Sequence, residues 1–153
     1  MRAFRAVVVS LVALALPWPT FASDVPNTIE EAFASLSKLL PPSEVAAFKQ
    51  LPEQEASVVS YMGVGMYIRN EWFRSGRSAL PAQLQALGAQ HIDDMSSMVL
   101  TSYWRHLNGK PLKLEAQGNC FRKWWQEQNR LIGEAKTKGS SAHGTPRFSC
   151  PGG

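Results

Sequence analysis

The sequence predicts an all-α fold, a compact bundle of about five helices, on three observations. Apolar residues recur at three- and four-residue spacing through most of the chain. No stretch of four or more residues alternates convincingly between apolar and polar side chains, so no half-buried strand is expected. Helix start and stop signals divide the chain into segments: Thr28 with Glu31, Pro41-Pro42, Pro52, Gly88 and Asn108-Gly109. No internal repeat is evident.

The first segment reads as an address. Arg2 and Arg5 form a positive n-region, residues 6–16 an uncharged apolar run of 11 residues, and Thr20-Phe21-Ala22 a small-x-small cleavage site. The apolar run is short for a spanning helix, which needs roughly 20 residues. Residues 1–22 are therefore expected to be a cleaved signal peptide and the protein to be periplasmic or secreted, with bacterial organisation. No later run is apolar enough for a stable membrane span.

Residues 23–138 form the expected helical domain, long enough for one core. The capping box Thr28-Ile29-Glu30-Glu31 starts a first helix that turns Ile29, Ala32, Phe33, Leu36 and Leu40 inward. After Pro41-Pro42, Ser43 is expected to cap a short piece over residues 44–50. A long second helix is expected from Pro52-Glu53, with Val59, Met62, Met66 and Ile68 inward and Gly63 and Gly65 admitting a close neighbour, before it frays over residues 72–78. Residues 81–87 read as a short helix stopped by Gly88. Asp93 is the expected N-cap of a helix over residues 94–107, with Met95, Met98 or Val99, Ser102 and Leu107 inward. A last helix over residues 118–136 packs through Phe121, Trp124, Trp125, Gln128, Leu131 and Ile132.

Residues 139–153 are a Gly/Ser/Pro-rich tail. Two cysteines, Cys120 and Cys150, in an exported chain read as a disulfide that ties this tail to the last helix. Such a loop is worth on the order of 3 kcal/mol in the chain-entropy model. The spacing is not that of a redox pair.

Charge is uneven. The net charge is +4, and loss of Arg2 and Arg5 leaves +2, too mild to imply nucleic acid. Residues 23–104 carry 5 Lys/Arg against 9 Asp/Glu, and residues 105–153 carry 9 against 3. Acidic and basic parts can attract each other across the fold, or a basic face can meet an anionic partner.

Chemistry-bearing residues concentrate in residues 68–110. Arg69, Asn70, Trp72, His91, Asp93, Asp94 and Arg105 sit among apolar residues at helical spacing. Buried charges require partners, so these residues specify either a binding cleft or a polar core. In the second case Asp94 pairs with Arg69 or Arg105, which lie on two helices expected to pack together. His91, Asp93 and Asp94 are few ligands for a metal, and Ser96, Ser97 and Ser102 near His91 lack a nucleophile-elbow frame. No catalytic residue, metal or cofactor is assigned. Trp124-Trp125 beside Arg122, Lys123 and Arg130 is the kind of surface that holds a protein or a sugar. His106 reads as a surface residue near a helix end.

The segments Ile68-Arg69-Asn70-x-Trp72, His91-x-Asp93-Asp94-Met95-Ser96-Ser97 and Arg105-x-Leu107-Asn108-Gly109-Lys110 resemble a small bacterial domain family of unknown function with IRNxW, HPDDMSS and RxLNGK motifs. The likeness covers residues 45–127. It departs at Ile92, where the family often has Pro. It supports the fold and implies no activity. The sequence reading is thus a non-enzymatic binding or interaction protein, an immunity or inhibitor protein being one version, whose partner is another exported or envelope protein. The alternatives are an enzyme or small-ligand site built from Arg69, His91, Asp93, Asp94 and Arg105, and carbohydrate binding through the Trp cluster.

Overall fold

A computed structural model describes residues 25–60 and 62–138. The expected signal peptide, the tail and Cys150, and with it the Cys120–Cys150 pairing, lie outside the described residues. Seven α-helices and one π-helical turn make up the described chain, and no strand occurs among these residues. The all-α expectation holds, and the count exceeds five because the long helix expected after Pro52 is broken.

Helix α1 (Ile29–Leu39) begins at Thr28, whose Oγ1 accepts the Glu31 amide at 3.2 Å. Glu31 reaches past the cap and accepts the Asn27 N–H at 2.7 Å. Its inner face is the predicted one, with Ile29, Ala32, Phe33 and Leu36 buried. Helix α2 (Pro42–Gln50) starts on Pro42 rather than after Ser43, because a proline is preorganised for the first helical position.

The break follows α3 (Glu53–Val59). The helix ends at Ser60 and the chain turns before α4 (Val64–Tyr67), and Gly63 takes φ −95°, ψ −107°, outside helical geometry. The turn resets the helical phase. Val59, Met62 and Met66, expected inside, are exposed; Ile68 is buried as expected, and Ala56 and Gly65 are buried with it. Gly65 has the close-packing role read for it, since an added Cβ would lie 3.0 Å from Ser60 O and 3.4 Å from a Leu100 methyl. Gly63 has nothing near it.

From α4 the chain passes directly into a π-helical turn (Ile68–Phe73). The Arg74 amide donates to Arg69 O, an i to i+5 bond of 3.0 Å. The wide turn directs Ile68, Arg69, Trp72 and Phe73 inward, four of six residues. The segment expected to fray is therefore ordered as far as Phe73.

Helix α5 (Leu80–Leu87) stops at Gly88, whose φ of +127° suits glycine. Helix α6 (Ile92–Leu107) is the centre of the domain, and every other element packs on it. Met95, Met98, Val99, Leu100, Ser102, Tyr103, Trp104 and Arg105 are all buried, which leaves α6 little solvent face. Helix α7 (Leu114–Lys138) starts one turn earlier than expected. Gly88 and Gly118 meet where it crosses α5: a Cβ on Gly118 would lie 2.1 Å from Leu87 O. On α7, Phe121 and Gln128 are buried and Trp124 and Trp125 half-buried, whereas Leu131 and Ile132, expected to pack, are exposed.

Candidate functional site

The residues singled out from sequence divide into two charged centres at opposite ends of α6. At its first turn, His91 is the N-cap, not Asp93. The His91 Nδ1 accepts the Asp93 N–H at 3.3 Å, and Asp94 Oδ2 accepts the His91 N–H at 3.0 Å. This is a reciprocal capping box with an imidazole in place of a hydroxyl. Two carboxylates in the first turn also complement the helix dipole.

Asp94 does not pair with an arginine. It is buried, and its Oδ2 also accepts the Trp125 Nε1–H at 2.7 Å. A half-buried indole N–H wants an acceptor, so the adjacent tryptophans carried the signal that α7 would reach this corner. Arg69 pairs instead with the neighbouring carboxylate, Nε to Asp93 Oδ1 at 3.1 Å, and its Nη1 donates to Ser96 Oγ at 3.2 Å. Ser96 in turn donates to Asp93 O at 3.0 Å. The result is a closed network: Arg69 is buried, while Asp93 and His91 keep 39% and 55% of their side chains exposed.

The second centre lies at the far end of α6. Arg105 is buried and binds Glu53 Oε1 through Nε at 2.6 Å and Nη2 at 2.5 Å, while Nη1 donates to Pro111 O at 2.9 Å. Lys110 lies 3.5 Å from the other Glu53 oxygen and sits over the Trp104 ring at 4.4 Å. Trp104 Nε1 donates to Leu51 O at 3.0 Å. Glu53 was legible only as a first-turn acid. Arg69 and Arg105 thus belong to separate centres.

Asn70 and Trp72 join neither centre. Asn70 is exposed and accepts from Arg74 at 3.2 Å, and Trp72 is buried edge-on to Tyr67, with ring centroids 6.1 Å apart. The basic surface expected on α7 is reduced by internal pairing. Arg122 donates to Leu87 O at 3.0 Å, closing the end of α5, and Arg130 is held by Glu127 and Glu134. The Arg130 hydrogen bond holds the Glu127 carboxyl below its ordinary pKa, and the two glutamates raise that of Arg130. His106 is exposed and stacks on Phe33 at 4.8 Å.

The open ground lies elsewhere. A groove runs between α1 and the π-helical turn. One cavity of about 520 Å³ is lined by residues that include Asn27, Glu31, Lys38 and Arg77. The next, about 290 Å³, shares Lys38 and Arg77 and adds Leu39, Tyr67, Glu71 and Trp72. Leu39 and Tyr67 on its rim are exposed, as are Met66 and Met62 along the chain from Tyr67. Among the described residues, no group of three His, Cys, Asp or Glu side chains could hold a metal ion, and no helix is long and apolar enough to cross a membrane.

An all-α domain ordered around one buried helix, with its charges paired at the two ends, is the class that these observations define. The chain belongs to the family Domain of unknown function (DUF6794), whose model matches residues 25–107. The match opens ahead of α1 and closes at the end of α6, so it begins and ends earlier than the resemblance over residues 45–127. No curated protein and no solved structure matches this chain.

Proposed function

We propose that this protein is an exported binding module whose partner is another exported or envelope protein, an immunity or inhibitor role being one form of this. One observation carries the reading: the charges expected to form a site are engaged inside the domain, while Met62, Met66, Tyr67 and Leu39 are left at the surface. Solvent-exposed apolar side chains beside a groove suit recognition of a protein. Methionine is flexible and polarisable and adapts to a partner's shape. Within this reading residues 1–22 are removed on export and a Cys120–Cys150 disulfide ties the tail to α7.

Photo-crosslinking residues placed at 62 and 66 in cells test it, with position 123 on α7 as control. Capture of one and the same protein from both positions, abolished by Tyr67→Asp without a change in melting temperature, supports the reading. Capture from position 123 alone overturns it. Mass spectrometry of the exported protein, expected to begin at Ser23 and to weigh two hydrogen atoms less than its reduced form, tests the processing and the disulfide.

A further inference from the structure

The geometry points to a proton switch at the start of α6, in which His91 passes from capping the helix to pairing with Asp93, the carboxylate whose other oxygen holds Arg69. The same nitrogen faces both partners: His91 Nδ1 is 3.3 Å from the Asp93 amide nitrogen and 3.0 Å from Asp93 Oδ2. It cannot serve both at once. An unprotonated Nδ1 accepts the amide hydrogen and turns a lone pair toward a carboxylate. A protonated Nδ1 gives up the amide and donates to Oδ2. The His91 backbone N–H is held by Asp94 Oδ2, so the main chain at the cap is anchored independently of the ring.

Proton uptake is transmitted inward because Asp93 spans the site. Its Oδ1 is the ionic partner of buried Arg69, and its Oδ2 is the oxygen that the imidazolium takes. The groups around the ring are Asp93 and Asp94 on α6, Arg69 on the π-helical turn, and on α7 the uncharged indole of Trp125, 6.4 Å away between ring centroids.

The test is nuclear magnetic resonance of the 15N-labelled protein between pH 5 and 8. Above the His91 midpoint, the ring nitrogens are expected to report the Nε2–H tautomer with Nδ1 as acceptor. As His91 titrates, the Asp93 amide and the Arg69 Nε–H resonances are expected to move with the same midpoint. In His91→Asn, which keeps a capping acceptor and cannot titrate, both shifts are lost. Three results would each overturn the proposal: an Nδ1–H tautomer at high pH, an Asp93 amide indifferent to His91, or the same titration persisting in His91→Asn. The first two are read on the unmutated protein and do not depend on the variant folding.

Discussion

Arg69 and Asp93 meet at 3.1 Å across the junction between the π-helical turn and α6, the guanidinium buried and the carboxylate partly hydrated. The two ends of this pair are not equivalent. Removing the hydrated partner takes the carboxylate away from a dry guanidinium that also donates to Ser96 Oγ. Asp93→Ala is expected to lower stability by about 2 kcal/mol, less than the roughly 3–5 of a fully buried pair because water reaches the site. Arg69→Met, which leaves an already wet carboxylate, is expected to cost about half as much. Urea unfolding of the two variants decides the point, and equal losses would show that burial does not set the asymmetry.

Glu53 and Arg105 form the drier pair, with side-chain exposures of 13% and 3%. Glu53→Ala orphans the guanidinium and is expected to cost about 3 kcal/mol. Replacing both with apolar side chains, as Glu53→Leu with Arg105→Met, removes the orphaned charge and should recover about half of that loss or more. A double-mutant cycle by thermal unfolding measures this. A double variant as unstable as the sum of its parts would mean that the two residues act independently.

The glycines of α7 separate crowding from propensity. Gly118→Ala drives a methyl onto the Leu87 backbone, and is expected to destabilise by about 3 kcal/mol through the enforced shift of α5. Gly133→Ala meets nothing within 4 Å. It should stabilise by about 1 kcal/mol, the helix-propensity difference between the two residues. Melting temperatures moving in opposite directions confirm the assignment.

Glu127 and Arg130 define a weak acid-sensitive element. The hydrogen bond from Arg130 lowers the Glu127 pKa in the folded state, so the unfolded carboxyl takes up its proton first as pH falls. The stabilisation is complete above the ordinary carboxylate range and is lost as pH drops through the lowered folded value. Both groups are open to solvent, so salt screens the effect. Glu127→Gln should flatten this part of the acid unfolding curve at low ionic strength and make no difference at high salt.

Several local signals that act within one turn of chain were read correctly, although α6 is capped by His91 rather than Asp93 and α2 starts on Pro42 rather than after Ser43. Thr28 and Glu31 mark the start of α1, Gly88 the end of α5 and Asn108-Gly109 the end of α6, because capping and left-handed geometry involve only neighbouring residues. The inner face of α1 follows from its period alone. The same reasoning failed between Pro52 and Phe73, where the break between α3 and α4 and the π-helical turn shift the phase and no single period spans both sides.

The sequence by itself determined that this chain is helical, where most helices end, and that Arg69, Asp93, Asp94 and Arg105 needed partners, since hydrophobic period, caps and the cost of burying charge are properties of residue types. Only the tertiary structure decided who those partners are. Carboxylates near and far along the chain compete for each guanidinium, and the arrangement of α3, the π-helical turn and α7 around α6 gave Arg69 to Asp93, Arg105 to Glu53 and Asp94 to Trp125. The reason is that ion pairs and indole hydrogen bonds act over about 3 Å, a separation that chain folding sets and that linear spacing does not encode.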